Sequence, residues 1–328
     1  MSNPHFDHVD PNLVSAIPSG IVVHRTRSFE YSRFEERMFQ LIAKRPTVQT
    51  APSTPQRSAV SHVQTDSGSS LKRVLGKARD AVRTYLVVPD LKVGWAPFAL
   101  AESLAIARRA RPHVVLTSSP PHSLHLVGLA LKLAIGAKWV ADFRDPWTQN
   151  AAYPFASGFR RRMDECLENA VLRNADVVIA NTDTNRSKLL AKFPALAQER
   201  CVTITNGFNL DEYERAATQR LTTREAGRKL HLVYTGVLYP GMGESFFTAL
   251  KELKEEHAGI ANDFHLEIVG EIQPEHRAAV ERHGLASLVE CRGFLPRQVS
   301  LTRQAMADAL LCILPNSEEA RGWVPSKL

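Results

Sequence analysis

Cysteine is scarce in this chain: Cys166, Cys201, Cys291 and Cys312 are the only four among 328 residues, and they lie far apart. No CxxC pair occurs, which excludes a zinc knuckle and a thioredoxin-like redox site and fits a reducing compartment. Long apolar runs are missing too. The longest, residues 124–135, is broken by Gly128 and Lys132 and is too short to span a bilayer. The opening residues, MSNPHFDHVDPNL, lack the apolar stretch of a secretory leader, and a cytoplasmic location is expected. Neither GxGxxG nor GxxxxGKS/T is present, so the dinucleotide and P-loop signatures fail. The absence of GxSxG and HExxH removes the serine-hydrolase and zinc-protease readings. Charge of one sign is not dominant: 41 Lys and Arg against 34 Asp and Glu leave +7. With no RRM-like aromatic pattern and no helix-turn-helix beside it, this excess does not point to nucleic acid.

What is present is globular. Hydrophobic residues make up 44% and charged residues 23%, enough for a core in each of two domains. Residues 20–25 (GIVVHR) read as a strand and 28–44 as a helix with Phe34, Met38 and Leu41 on one face. The stretch 46–70 is rich in Ser, Thr, Gln and Pro, has almost no large apolar residue, and is expected to be a flexible loop. Residues 71–86 form a basic amphipathic helix. Strands at 113–117, 138–141, 176–180 and 201–205 then alternate with helices at 96–109, 123–133, 159–172 and 185–192. The polar segment 211–229 reads as a linker. A second series follows, with strands at 230–234, 264–269, 289–291 and 310–314 and helices at 244–257, 274–282 and 297–307. Short apolar runs separated by helices argue parallel sheets with crossover helices. The expected class is α/β. The expected domains are 1–210 and 230–328.

Ligands gather beyond the carboxyl ends of strands in such sheets. The first candidate stretch is SSPPHSLH, residues 118–125, which places Ser118, Ser119, His122 and His125 where a helix N-terminus offers N–H groups to an anion. The same residues serve equally as a cap and turn. The second is ADFRDPW, residues 141–147, where Asp142 and Asp145 crowd Arg144 on the neighbouring rim. Such a cluster can bind a polyol, position a hydroxyl or shift a carboxyl pKa; the alternative is a structural pair closing a loop over Trp147. Asn181 and the Asn206–Gly207 dipeptide read first as cap and turn. In the second domain Gly236, Gly241 and Gly243 lie between a strand and a helix, where a phosphate can be cradled or a plain turn made. Gly270, Arg292, Gly293 and the 315–319 segment sit on later strand ends, outlining a nucleotide pocket with Lys327 as the nearest cation for a diphosphate. No metal-ligand pattern is seen.

With these residues in hand, the chain resembles glycosyltransferase family 4, in its bacterial type with a glycosyltransferase 4-like N-terminal domain. The resembling runs are LVVPDLKVGWAPFAL, HVVLTSSPPHSLH, WVADFRDPWTQN, DVVIANTD and ITNGFN, then LVYTGVLYPG, EIVGE, CRGFLP and VPSKL. The resemblance implies the GT-B fold, two Rossmann-like domains facing across a cleft. It also implies transfer of a sugar from a nucleotide-sugar, a UDP- or GDP-sugar, to a hydroxyl of a glycan, lipid-linked or small-molecule acceptor. The reaction it implies retains anomeric configuration and uses neither metal nor cofactor, and it suggests a place in cell-surface polysaccharide assembly. Asp142, Arg144, Asp145 and His122 then fall at the catalytic rim, Arg144 matching by position a family histidine near the transferred sugar. Gly236 and Gly241 match the diphosphate loop, Arg292 and Gly293 the region of the base, Glu318 or Glu319 the start of the acidic signature region, and Lys327 the PSK element. The basic pair that usually follows the loop is missing, since residues 237–247 (VLYPGMGESFF) contain no Lys or Arg.

Against the family pattern both ends of the chain look truncated and both domains incomplete. Two other readings follow: a degenerate homologue that binds a nucleotide-sugar or a partner without catalysis, and a GT-B nucleotide-sugar epimerase. The basic face of 71–86 (Lys72, Arg73, Lys77, Arg79, Arg83) is either a solvated face or a peripheral contact with the inner membrane surface.

Overall fold

Short apolar runs form the strands, with alternating burial in Lys138–Phe143 and Val177–Ala180 and near-continuous burial in Phe264–Val269, and helices connect them. The computed structural model describes residues 10, 14, 17–29, 85, 87–150, 155, 157–218, 229–239, 241–257, 259 and 263–314. The chain divides into two compact units, residues 1–5 with 23–204 and residues 6–22 with 205–328.

In the first unit β1 (Val114–Ser119), β2 (Lys138–Phe143), β3 (Val177–Ala180) and β4 (Cys201–Thr203) pair in that order, all parallel. Between and before them run α1 (Ala96–Ala110), α2 (Ser123–Ile135), α3 (Gly158–Asn174) and α4 (Asp183–Lys192). Trp139, Ala141 and Phe143 of β2 are buried at every second position and join Val171, Leu172, Val178 and Leu189 in one core. Helix α2 lies close on the sheet at Gly128, where a Cβ would come within 2.5 Å of the Trp139 indole nitrogen. Ser157 caps α3 by accepting from Arg160 N (3.1 Å), and Thr182 caps α4 by accepting from Asn185 N (3.1 Å).

In the second unit the strand order is β7-β6-β5-β8, again all parallel, with β5 (Leu230–Thr235), β6 (Phe264–Val269), β7 (Val289–Gly293) and β8 (Ala309–Leu311). Its helices are α5 (Leu210–Thr218), α6 (Glu244–Glu256), α7 (Pro274–Arg282) and α8 (Arg297–Met306). Tyr234, Leu266 and Ile268 pack with Phe247, Leu250, Ala279 and Leu285 in the core. The opposite face is partly polar. Glu267, almost wholly buried, meets His231 Nε2 at 2.9 Å and Arg292 Nε at 3.2 Å.

Two segments differ from expectation. Residues 20–25 form no strand: Ile21, Val22 and Val23 stand exposed at 58%, 79% and 48%, so the run finds no sheet to bury it. Residues 210–218, expected to open a linker, are helical because Tyr213 and Ala216 turn to one side and α5 packs on α8, with Glu212 pairing Arg297 at 2.7 Å. The expected helices at 28–44 and 71–86 (beyond Ser28, Phe29 and Tyr85), the loop 46–70, and the segment 315–328 lie outside the described residues. Among the described residues, no helix is long and apolar enough to cross a membrane.

Candidate functional site

The carboxyl ends of β1 and β2 bring the first two candidate stretches together. Register pairs Ser118 with Asp142 and Ser119 with Phe143. The Ser118 hydroxyl donates to Asp142 Oδ2 at 2.6 Å. Just past the strands, Arg144 N donates to the Ser119 carbonyl (3.1 Å) and the exposed Arg144 guanidinium donates to the Pro120 carbonyl (3.1 Å). Asp142 and Asp145 share the rim with Arg144 but form no ion pair with it, so the guanidinium is not clamped between carboxylates. Asp145 is exposed; surrounding protein pushes its carboxyl up and Arg144 pulls it down, and solvent screens both effects.

His122 precedes α2 and is 95% buried. Its ring lies flat on Trp147, centroids 4.9 Å apart and planes within 4°. Burial drives its pKa down to about 4, so the ring is neutral near pH 7. Its Nδ1 is buried without a hydrogen-bond partner, as is the Ser119 hydroxyl. What His122 brings to the rim is therefore a neutral imidazole, not a cation. His125 is a core residue: it bonds Thr117 Oγ1 at 2.8 Å, packs on Phe143, and burial lowers its pKa to about 3. The N-terminus of α2 is already occupied by a carboxylate of the chain. Asp90 accepts from Ser123 N (2.8 Å) and from Ser123 Oγ (2.9 Å), so the helix end is capped internally.

Below this rim, α3 carries a buried polar stripe at helical spacing: Arg160, Asp164 and Glu168. Asp164 accepts from Arg160 Nε (2.5 Å) and from the Trp147 indole (2.9 Å), and Arg160 also donates to the Pro89 carbonyl (2.6 Å). Glu168 bonds the Thr148 hydroxyl. The DPWT segment is thus held from beneath by α3. Sequence reading missed Asp90, Asp164 and Glu168. The available signal was charge at every fourth position on the same helix as the buried Val171 and Leu172. Asn181, read as a cap, bonds Asn185 at 2.6 Å.

In the second unit, three of the singled-out glycines meet on adjacent strand ends: Gly236 (φ 122°), Gly270 (φ 131°) and Gly293 (φ 73°). Gly236 N donates to the Val269 carbonyl and Gly270 N to the Gly293 carbonyl, both at 2.8 Å. A Cβ at Gly270 would lie 2.1 Å from the Gly236 carbonyl oxygen, so only glycine permits this approach. These amides are spent within the sheet, and Gly241 N donates to Glu275 Oε1 at 2.9 Å. The glycines therefore make a close-packed rim, and α6 opens with Gly243 at its cap, which supplies no side chain to its first-turn amides. Arg292 is engaged with Glu267 and with Glu290 (3.0 Å). Glu318 and Lys327 lie outside the described residues. Among the described residues, no group of three His, Cys, Asp or Glu side chains is placed to hold a metal.

Residues 37–207, just over half the chain, match the family model described as glycosyl transferase 4-like domain. No curated protein matches the chain significantly. Among solved structures, sucrose-phosphate synthase from Thermosynechococcus elongatus is 18% identical with a TM-score of 0.50, covering 66% of this chain and 53% of that one. Anabaena HepE in complex with UDP and glucose is 18% identical, with a TM-score of 0.46 over 64% of this chain and 54% of that one. UDP-N-acetylglucosamine 2-epimerase from Rickettsia bellii is 14% identical, with a TM-score of 0.40 over 68% and 57%. The likeness is one of fold, a two-domain arrangement of Rossmann-like α/β units, and this chain spans little more than half of these relatives.

Proposed function

We propose that this chain, which belongs to the glycosyl transferase 4-like domain family, takes part in transferring a sugar from a nucleotide-sugar donor to an acceptor hydroxyl. The observation that carries the reading is the rim of the first sheet. There Ser118, Asp142 and Arg144 converge on two adjacent strand ends and present a hydroxyl, a carboxylate and an exposed guanidinium anchored on the Pro120 carbonyl. Hydroxyls of a sugar or glycan are matched by that mixture of donors and acceptors. Asp142 orients an acceptor hydroxyl, and Arg144 orients a sugar or phosphate oxygen; a guanidinium is too basic to take the proton. His122 and Asp145 border the same surface.

The second unit is the donor side in this reading. The glycine rim lets a ligand approach the backbone, and the α6 N-terminus faces the charge that develops on the leaving diphosphate. The donor is a UDP- or GDP-sugar, transfer retains configuration, and no metal takes part. The acceptor is a glycan or lipid-linked hydroxyl, and the basic 71–86 segment provides contact with the inner membrane surface. A second reading, a homologue that binds without catalysis, is favoured by one feature: the loop after Gly236 has no basic residue and its Gly241 amide is taken by Glu275.

Calorimetric titration of the full chain with UDP, GDP and their sugar conjugates, followed by an assay for released nucleotide, tests this. Saturable binding to one nucleotide with turnover on added acceptor is expected. Binding without turnover supports the second reading, and a folded sample that binds none of them removes the donor site.

A further inference from the structure

Beneath the first rim lies a set of ionisable groups that the transfer reading does not use. Lys192 Nζ stands 2.6 Å from Thr148 Oγ1 and 2.9 Å from Glu165 Oε1. Thr148 Oγ1 also bonds Glu168 Oε2, while Thr148 N lies 3.5 Å from Glu168 Oε1. Glu168 has no exposed surface. Chemistry sets the direction of these bonds. An ammonium only donates, so Thr148 Oγ1 accepts from Lys192 and keeps its O–H and a second lone pair for Glu168. Toward an ionised Glu168, Thr148 donates with both its hydroxyl and its amide, and the carboxylate accepts both. A protonated Glu168 turns the hydroxyl bond round, donating to the second lone pair of Thr148 Oγ1, and the Thr148 O–H then loses its acceptor. Thr148 follows Trp147, which stacks on His122 and bonds Asp164.

We propose that Glu168 is a positioning residue: acting through Thr148, its carboxylate holds residues 145–148, and with them the Trp147–His122 stack, in the arrangement the rim uses. The charged groups around it are Lys192 from α4, Glu165 and Asp164 from α3 itself, and Arg160 paired to Asp164; across Trp147 stands the neutral His122. Burial pushes the Glu168 carboxyl up to about 7, against the Thr148 bond and the Lys192 charge, which pull it down. The hold is therefore made above neutrality and released as pH falls below it.

The test is a pH titration, from 5.5 to 8.5, of the Trp147 indole N–H resonance in the 15N-labelled full chain. A shift with its midpoint near pH 7 is expected, and it should vanish in Glu168→Gln. Thr148→Val removes the hydroxyl bond, leaves only the 3.5 Å amide contact and changes neither charge, so the shift should shrink to a small fraction of its size, which keeps the test open if the Gln variant fails to fold. A flat indole resonance in the unaltered chain overturns the proposal, as does the same transition surviving in either variant. The proposal rests on the transfer reading only for its second arm, in which Glu168→Gln lowers kcat about tenfold with KM little changed. An unaltered chain that shows the indole transition but no transfer at any pH counts against the transfer reading and for the positioning role.

Discussion

At the first rim the strand ends present polar side chains. Ser118, Asp142 and Arg144 lie at strand ends, and a helix below spends a buried Arg160–Asp164 pair and a buried Glu168 on holding Trp147 and Thr148 of the loop that follows Arg144. At the second rim the surface is made of backbone. Gly236, Gly270 and Gly293 close the strand ends against one another, backbone to backbone. The two units share a parallel sheet and nearly the same rhythm, yet one rim is kept in place by electrostatics and the other by steric fit. Side-chain polar surfaces need support because each group has rotamers to lose and a desolvation cost to offset. A glycine rim needs only that nothing larger than hydrogen occupies the gap.

Breaking the electrostatic support should have the largest effect. Asp164→Ala leaves the buried Arg160 guanidinium and the Trp147 indole without their acceptor, and a loss of about 3–5 kcal/mol is expected in urea unfolding. A loss below about 1 kcal/mol would mean the stripe does not buttress the rim. At the other rim, Gly270→Ala adds a methyl into the Gly236 carbonyl at a positive φ, with an expected cost of about 2–4 kcal/mol in the thermal unfolding of the chain. A near-neutral result there would show that the rim is looser than its geometry.

The acid range separates the two kinds of buried group in the first unit. Glu168 is raised from 4.5 to about 7, so the folded state holds its proton more tightly, and stability from this group falls as pH rises through that window, by on the order of 3 kcal/mol. His122 and His125 are lowered from 6.5 to about 4 and about 3, so their contribution is present above pH 6.5 and is lost as pH falls toward 4. Between pH 5 and 6.5 the two slopes oppose. Glu168→Gln removes one of them, so the urea midpoint of that variant should rise with pH more steeply than that of the unaltered chain. Equal slopes would show that the Glu168 carboxyl titrates in its ordinary range. The smallest effect on stability is expected at Arg144, whose exposed side chain donates only to Pro120 O among the bonds described. Arg144→Ala should shift unfolding by no more than about 0.5 kcal/mol and abolish transfer, and unchanged turnover would take Arg144 out of the site.

Much of this was legible from the chain itself. The β1, β2, β3, β5 and β6 runs announce themselves by short apolar stretches between helices, and the structure extends or trims them by a residue or two. The rim glycines could be read because each follows a strand. The run at 20–25 misled, because β propensity says a residue suits a pleated surface and not whether a sheet is there to receive it. Asp142, Arg144 and Asp145 do lie on one rim but are not paired as expected: neighbours in sequence at a strand end point different ways, and Arg144 reaches back to Pro120 instead. Lys192, Glu168 and Thr148 escaped notice because 20 and 44 residues separate the bonded pairs, and nothing local marks a charge as buried.

Periodicity by itself determined that this protein has two α/β series, and glycine and polar residues at strand ends marked the two rims, because both properties are local to a few residues of backbone. Which of those polar residues stand free, which cap a helix, and which lie buried as supports was decided only by the tertiary structure. The reason is physical: a side chain's charge state and partners depend on the dielectric and the donors that distant segments bring around it, and Asp90 against Ser123, or Glu168 against Thr148, exist as pairs only once the sheet has brought their helices and loops together.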